Sequence, residues 1–269
     1  MFSLTILGSG SAGNCALVKT GGCRLLVDGG LSAKQIVTRL AGLGIDPTTL
    51  DGILITHEHC DHIGGLEVFG KKFDVPLYCN PLTAETMRRT PGLAGKDYRK
   101  FATGSDFTIR DIAVQTFPVP HDAVDPVGFV LHHGGATLGF LTDLGHATKL
   151  VYERVRQVQT LVIETNHDEK MLQNDTRRPW AVKQRIMSRH GHLSNAAAAN
   201  VVAELLGNGL ERVILGHLSR DCNSPAVAIA AVKSKLSEMG DAAVEVYCAS
   251  QTVVSDSYHV RRETFILES

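Results

Sequence analysis

The segment that most constrains the fold is residues 56–62, Thr-His-Glu-His-Cys-Asp-His, which directly follows the apolar residues 53–55. An apolar run of this kind predicts a buried strand. Four of the six positions 57–62 are then three histidines and an aspartate. Imidazole nitrogens and carboxylate oxygens suit Zn, Mn or Fe. The segment therefore predicts a metal site at the end of the strand, and a polar loop that happens to hold histidines is the alternative.

The spacing of these side chains decides between two metal-binding arrangements. A zincin helix carries two histidines four residues apart, but the residue four after His57 is Asp61, so HExxH is absent. On a helix, residues two apart point to nearly opposite sides, whereas on an extended segment they share a face. His57, His59 and Asp61 can therefore converge if the segment is extended, and His62 can turn to a second metal ion.

The composition favours a globular α/β protein. The chain has 269 residues, which allows one large domain or two small ones, and its 43% of hydrophobic residues is enough for a substantial core. The 27 Lys and Arg nearly balance the 28 Asp and Glu, so nucleic-acid binding driven by total charge is not indicated, although a local basic patch is compatible with this balance. Twelve histidines are many for this length and favour a metal site.

The cysteines and the first residues indicate the cellular compartment. The six cysteines are scattered without a CxxC pair, which predicts reduced thiols in a cytosolic protein. The first residues lack the basic region and the long apolar run of a signal peptide. No apolar run approaches the roughly 20 residues that cross a bilayer. We therefore expect a soluble, cytoplasmic protein.

Residues 8–13 contain a literal GxGxxG motif, Gly-Ser-Gly-Ser-Ala-Gly. A dinucleotide-binding motif needs a helix after the glycines, but residues 15–19 have the composition of a second strand. Strand, loop and strand predict a hairpin, which excludes dinucleotide binding. Ser11 and Asn14 of this loop could still line a site, where backbone N–H groups could hold an anion. A simple tight turn is the other interpretation.

Other apolar runs also end in polar residues. Asp28, His121, Asp143 and His217 each stand at or just beyond the end of a predicted strand. The strand at residues 160–164 leads into Thr-Asn-His-Asp, and a polar cluster at a strand end is typical of the rim of a site. Several strand ends of the chain are therefore candidates for catalytic or metal-binding residues. The last predicted strands cover residues 244–248 and 260–266.

A basic segment precedes the motif at residues 191–195. It contains Arg177, Arg178, Lys183, Arg185 and Arg189, and no acid occurs from residue 176 to residue 192. Such a run is usually a solvated helix face. Arginines also pair well with phosphate oxygens, and the only tryptophan of the chain, residue 180, could stack on a base or pack as a core or hinge residue.

The HxHxDH segment resembles the signature of the metallo-β-lactamase superfamily, a fold of two-metal hydrolases. Within it, the chain is similar to the YycJ/WalJ-type group, described as exonucleases acting on DNA and related to tRNase Z-like phosphodiesterases. The resemblance runs through residues 8–15, 57–62, 120–123, 164–168, 191–195 and 216–223. It implies an α/β fold, a four-layer αββα sandwich of two mixed β-sheets flanked by helices, in a single domain over residues 1–269.

The resemblance also implies two divalent metal ions, Zn or Mn, with Fe as a further candidate. Their ligands would be His57, His59, His121 and Asp143 for the first ion, and Asp61, His62, His217 and Asp143 for the second. Asp143 would bridge the two ions, as in the phosphodiesterase and glyoxalase II branches. The alternative for Asp143 is a helix N-cap, because a helix is expected to start near Ala147.

The same resemblance implies a mechanism. A hydroxide shared by the two ions would attack phosphorus in line, Asp61 could take the proton of the attacking water, and His192 would protonate the leaving oxygen. An orienting or capping role is the alternative for His192. Further residues expected to orient ligands or to contact the substrate are Asp28, Ser11, Asn14, His167, Ser194, Ser219, Arg220 and Asn223.

Three functional classes compete at this stage. The first is a metal-dependent phosphodiesterase or exonuclease that acts on DNA. The second is a glyoxalase II-like thioester or lactone hydrolase that uses the same metal ions. The third is a non-enzymatic metal-binding protein, which a complete set of ligands for two ions argues against.

Overall fold

The computed structural model describes residues 1–241 and 243–261, and within them the chain forms two seven-stranded β-sheets. The first sheet contains β1 Ser3–Gly8, β2 Cys15–Lys19, β3 Arg24–Val27, β4 Gly52–Leu54, β5 Leu77–Cys79, β6 Tyr98–Lys100 and β14 Tyr258–His259. The second contains β7 Asp106–Ile109, β8 Ile112–Pro118, β9 Val127–His133, β10 Ala136–Leu141, β11 Thr160–Glu164, β12 Arg212–Gly216 and β13 Glu245–Cys248.

Both sheets are mixed and share one plan. The strand order is β14-β1-β2-β3-β4-β5-β6 in the first sheet and β13-β12-β11-β10-β9-β8-β7 in the second. Neighbours from β14 to β3 and from β7 to β10 pair antiparallel. Neighbours from β3 to β6 and from β10 to β13 pair parallel. Parallel strands bring their carboxyl ends to one edge, where ligands of open α/β sheets bind.

The described residues contain nine α-helices, six of which cover the outer faces of the sheets. The nine are α1 Ala33–Gly42, α2 Cys60–Ile63, α3 Leu66–Lys72, α4 Pro81–Met87, α5 Lys149–Val155, α6 Glu169–Asn174, α7 Trp180–Ile186, α8 Asn195–Glu204 and α9 Pro225–Glu238, with a 3₁₀ turn at Pro47–Thr49. Local sequence explains several of their starts. Ser32 and Gln35 form a capping box at α1, and the Ser194 side chain accepts a hydrogen bond from the Ala197 N–H at α8.

Three apolar clusters separate the layers. Side chains of both sheets, such as Leu4, Val27, Phe129 and Ile214, pack face to face in the first cluster. The second cluster joins the outer face of the second sheet to α5, α8 and α9, and the third joins the first sheet to α1, α3 and α4. The layer order is therefore helix, sheet, sheet, helix, which confirms the predicted four-layer αββα sandwich.

The segment after β4 differs from the sequence-based expectation. It is extended only as far as His59, because α2 begins at Cys60. Two loops hold this short helix: after β3 the Gly29 N–H donates to the His62 carbonyl over 2.7 Å, and just before β2 the Asn14 N–H donates to the Asp61 carbonyl over 2.8 Å. Asp61 therefore does not share a face with residues 57 and 59, and it points with His62 toward β12 instead.

Other sequence expectations have mixed outcomes. The six cysteines form no disulfide, in agreement with the prediction of reduced thiols. The strand predicted at residues 244–248 is β13, whereas residues 262–266 of the last predicted strand lie outside the described residues. No helix in the described part of the chain combines the length and the apolar character needed to cross a membrane.

Replacing Leu138 in β10 with alanine should destabilise the sandwich strongly. The side chain is 0% exposed between the two sheets, and its removal would leave a cavity that costs about 2–5 kcal/mol in the free energy of unfolding. Leu82 on α4 is 48% exposed, so Leu82→Ala should change this free energy by no more than about 0.5 kcal/mol. Urea denaturation measures both variants, and equal losses would contradict the face-to-face packing of the sheets.

Candidate metal centre

Polar residues at the strand ends of both sheets meet in one open pocket. β4 of the first sheet leads to His57, whereas β8, β10 and β12 of the second sheet lead to His121, Asp143 and His217. Their donor atoms belong to groups in which all atoms lie within 4.8 Å of one another. The pocket that exposes them has a volume of about 310 Å³. The two sheets therefore jointly supply the candidate site.

The backbone adopts a strained conformation just beyond the ends of β3, β10 and β12. Asp28 has φ 60°, and Asp143 and His217 each have φ 54°, in the left-handed region that non-glycine residues rarely occupy. Each such residue costs on the order of 1–3 kcal/mol and persists only where the surrounding structure imposes it. The reversal of the backbone turns these side chains back toward the pocket. Strain of this kind is concentrated at functional sites.

The first donor group consists of His57, His59 and His121. The Nδ1 atom of His59 lies 3.0 Å from Nε2 of His57 and 3.3 Å from Nε2 of His121. Burial lowers the pKa of His57 well below its usual value, and burial also lowers the pKa of His121. Neutral imidazoles offer lone pairs, so three ring nitrogens facing one another suit a cation at their centre.

The second donor group consists of Asp61, His62 and His217. Oδ2 of Asp61 lies 3.0 Å from Nε2 of His217 and 3.7 Å from Nε2 of His62. α2 brings Asp61 and His62 close together, since both residues stand on its first turn. The donors are two imidazoles and a carboxylate, which is again a set that a divalent metal ion accepts.

Asp143 connects the two groups. One of its carboxylate oxygens lies within the group formed with His57 and His62, and its Oδ2 atom is 2.7 Å from Nε2 of His62. This buried Oδ2 nevertheless forms no hydrogen bond with any described residue, so the two atoms face each other without hydrogen-bond geometry. An orphaned buried carboxylate oxygen is costly unless a cation satisfies it. The residues present therefore fit a divalent metal ion at this position.

The alternative interpretation of Asp143 as a helix N-cap is wrong. The next helix, α5, begins at Lys149, and the side chain of Thr148 caps it by accepting a hydrogen bond from the Val151 N–H. Asp143 is instead 1% exposed among the histidines. Asp143 therefore stands just beyond the end of β10 and not at the start of a helix.

Asp28 orients His62 from beneath the pocket. Its Oδ2 lies 2.7 Å from Nδ1 of His62, and its carboxylate accepts hydrogen bonds from the N–H and the hydroxyl of Thr56. Burial lowers the pKa of His62, but the carboxylates of Asp143 and Asp28 outweigh burial and raise this pKa well above its usual value. Asp28 thus leaves Nε2 of His62 facing the pocket, as predicted for an orienting aspartate.

Glu164 is a functional residue that the sequence analysis missed. It ends β11, is 0% exposed, and its Oε1 lies 2.6 Å from Nδ1 of His192 and 2.8 Å from Nδ1 of His217. Its Oε2 accepts hydrogen bonds from the N–H groups of Leu144 and Leu193. One buried carboxylate therefore ties together four segments around the pocket. The signal in the sequence was an acid that terminates an apolar strand directly before the predicted polar rim.

Glu164 and the two histidines shift one another's pKa values. Burial raises the pKa of Glu164, but His192 and His217 hold it at about 2. Burial lowers the pKa values of the histidines, whereas Glu164 and Asp143 raise that of His192 to about 11 and that of His217 to about 9. The negative charges below the pocket are thus balanced by protons on the imidazoles, and a metal ion that binds there would release protons from its ligands.

The remaining predicted residues fall into two groups. Ser11 and Ser219 line the pocket, together with Asn166, Arg178 and Arg185, which the sequence analysis did not select as site residues. The nitrogen of the Asn14 amide lies 3.2 Å from Nε2 of His62 beneath the pocket wall.

The other four predicted residues do not line the pocket. Ser194 caps α8 and donates a hydrogen bond to Glu169, and Asn223 donates to the Thr165 carbonyl. His167 is buried, and its carbonyl accepts a hydrogen bond from the Asn195 N–H. Arg220 is exposed and has no ion-pair partner among the described residues. Ser194 and Asn223 therefore support neighbouring segments rather than the donor groups.

Comparison with known proteins identifies relatives of the whole chain. The β-lactamase superfamily domain matches residues 23–218. The exodeoxyribonuclease YycJ of Bacillus anthracis is 36% identical over 237 residues, which cover 88% of this chain and 89% of the relative. The exodeoxyribonuclease WalJ of Streptococcus pneumoniae serotype 2 is 37% identical over 240 residues, with the same two coverages.

Solved structures agree with the layer order described above. The metallo-β-lactamase fold protein YhfI from Bacillus subtilis superimposes with a TM-score of 0.73 at 18% sequence identity. The superposition covers 95% of this chain and 100% of YhfI. At this level of identity the likeness concerns the fold.

Replacing Asp28 with asparagine should weaken metal binding about 10- to 100-fold, because the carboxylate that orients His62 loses its charge. Asparagine tolerates the positive φ at this position, so the backbone should be preserved. Competition with a chromophoric chelator for Zn²⁺ measures the affinity. Asp111→Asn is the matched control, since Asp111 accepts a hydrogen bond from Thr20 outside the pocket. Equal affinities of the two variants would contradict the orienting role.

Proposed function

The chain belongs to the metallo-β-lactamase superfamily and is a metal-dependent hydrolase, and we propose that it is an exonuclease that hydrolyses phosphodiester bonds of DNA. The observation that carries this proposal is the pair of donor groups beside one open pocket, with Asp143 grouped with His57 of the first and His62 of the second. The two relatives named as exodeoxyribonucleases support the substrate class, because they match 88% of the chain.

In this proposal, two divalent ions occupy the pocket. His57, His59, His121 and Asp143 hold one ion, and Asp61, His62, His217 and Asp143 hold the other, with Zn or Mn as the candidate metals and Fe as a third. Bound metal ions would lower the pKa of water and stabilise negative charge on phosphate oxygens. The orphaned oxygen of Asp143 supports a shared ligand at this position.

Two residues beside the pocket, Asp61 and His192, would carry out the two proton transfers of the reaction. The side chain of Asp61 is 23% exposed at the pocket, which allows it to accept the proton of the attacking water. Nδ1 of His192 faces Glu164, so Nε2 is the ring nitrogen that remains available to the substrate. A carboxylate beside Nδ1 favours the protonated ring, which is the form that can donate a proton to the leaving oxygen. Glu164 therefore positions the proton donor and does not touch the substrate.

The wall of the pocket is suited to a phosphodiester. Arg178 and Arg185 line it together with Ser11 and Ser219. Guanidinium groups and hydroxyls are donors that pair well with phosphate oxygens. Nε of Arg185 donates a hydrogen bond to Asp122 over 2.5 Å, which orients the guanidinium at the rim while its side chain stays 65% exposed.

A panel of substrates tests the proposed function. The purified protein is treated with a chelator, reloaded with Zn, Mn or Fe in turn, and incubated with labelled single-stranded DNA, duplex DNA, RNA and a thioester. We expect DNA to be shortened from an end with at least one metal, and no hydrolysis after chelation. Hydrolysis of the thioester alone would contradict the proposal and favour a glyoxalase II-like activity.

Replacing His192 with glutamine should reduce kcat on DNA by about 10²- to 10⁴-fold, because the leaving oxygen loses its proton donor. Hydrolysis of bis(p-nitrophenyl) phosphate should fall much less, since nitrophenolate leaves without protonation. His133→Gln is the matched control, because His133 stands at the far end of β9, next to Asp111. Equal losses on both substrates would show that His192 acts in another step.

A further inference from the structure

The segment beside the pocket contributes Arg178 and Arg185 to its wall, but its other residues have no role in the proposed chemistry. We call residues 176–190 the arginine arm; it contains α7 and five cations but no acid. Of the seven residues of α7, only Lys183 is buried. Trp180, the only tryptophan of the chain, is 60% exposed at the start of α7, which rules out the core role considered for it in the sequence analysis.

The arginine arm is fixed to the body of the protein at both ends. At its start, Arg178 contacts Asp175 and donates to Asp221 over 3.1 Å, and Arg177 also pairs with both acids. Toward its end, the Asp122 N–H donates to the His190 carbonyl over 3.0 Å. The exposed side chains of the arm are therefore held in place rather than on a loose loop.

The arm is also continuous with the pocket. Arg178, Arg185 and Ile186 line the same cavity as Asp61 and His192. A chain that leaves the pocket along this wall meets α7, where Trp180 and Val182 present apolar surface between cations. An exposed aromatic ring on a segment whose arginines also line a hydrolytic pocket is a combination that suits single-stranded nucleic acid.

The small volume of the pocket favours an unpaired strand of DNA. His62 and Asp143 are 0% and 1% exposed, and the pocket beside them has a volume of about 310 Å³. A single strand enters a pocket of this volume more readily than a base-paired duplex, so we expect the terminal nucleotides to be unpaired. Unpaired bases lose their stacking partners, and an aromatic side chain outside the pocket can replace one of them.

We propose that the arginine arm binds the unpaired strand of DNA that leads into the pocket, with Trp180 stacked on a base and Arg185 in contact with a phosphate. This inference rests on the proposed nuclease function. The Nη atoms of Arg185 form no hydrogen bond with any described residue, so they are available to a phosphate. The charge of the arm favours a polyanion over an apolar protein partner.

The fluorescence of Trp180 tests this proposal without catalysis, since the protein has a single tryptophan. The metal-free, full-length protein is titrated with an oligothymidylate of about 12 nucleotides, a length within the usual site sizes. We expect the emission to be quenched in parallel with binding measured by anisotropy of a labelled oligonucleotide. An abasic oligonucleotide of the same length should bind more weakly and leave the emission nearly unchanged.

Variants of the arm should separate stacking from charge. Trp180→Ala should weaken binding about 5- to 100-fold, and Trp180→Phe should restore most of it. Arg185→Gln should weaken binding and reduce the slope of log affinity against log salt by about 1. Leu82→Ala, at an exposed apolar residue outside the arm, should bind as the wild type does.

The outcomes distinguish a failure of this proposal from a failure of the nuclease assignment. Trp180→Ala should hydrolyse bis(p-nitrophenyl) phosphate at the wild-type rate, because Trp180 does not line the pocket that holds this small diester. The arm proposal alone would be overturned if the wild-type protein shortens DNA but oligonucleotide binding does not quench Trp180 emission and the Trp180 variants bind with unchanged affinity. Absence of oligonucleotide binding, or a dimer in sedimentation that buries Trp180, would overturn it as well.

Discussion

The face-to-face packing of the two sheets determines which strand ends can share a pocket. Large side chains from both sheets, among them Leu4 and Leu25 of the first sheet and Phe129 and Phe140 of the second, exclude water between the layers. Burial of each such side chain contributes about 1.5–3 kcal/mol, so the relative position of the sheets is strongly enforced. His57 belongs to one sheet and His121 to the other, and only this packing brings their imidazoles to within reach of one ion.

Much of this arrangement could be predicted from the order of residues. Apolar runs of four or five residues followed by a histidine or an aspartate identify strand ends, and parallel neighbours align such ends at one edge. Which ends face each other could not be read from the residues, because His121 and His217 are 96 positions apart in the chain and meet through the tertiary fold. The family resemblance supplied that pairing.

Two local features depend on contacts that the sequence does not reveal. The four-residue helix at Cys60 is too short to be stable by itself, and the loops before β2 and after β3 hold it by hydrogen bonds to the carbonyls of Asp61 and His62. In the sequence alone, Glu164 cannot be distinguished from the other polar residues at the predicted rim of the site. Its partners His192 and His217 lie 28 and 53 positions further along the chain, so its burial as an anchor for both rings emerges only in three dimensions.

The left-handed backbone at Asp28, Asp143 and His217 has a consequence for how this centre can evolve. Asparagine, aspartate and histidine are the non-glycine types that occupy positive φ most readily, whereas bulkier side chains occupy it at greater cost. Glutamate or cysteine could also supply a donor atom, but neither is favoured by this backbone. The main-chain conformation therefore limits which residue types these three positions accept, whatever metal the site prefers. A change to another type of donor residue there would require the connecting loop to be rebuilt.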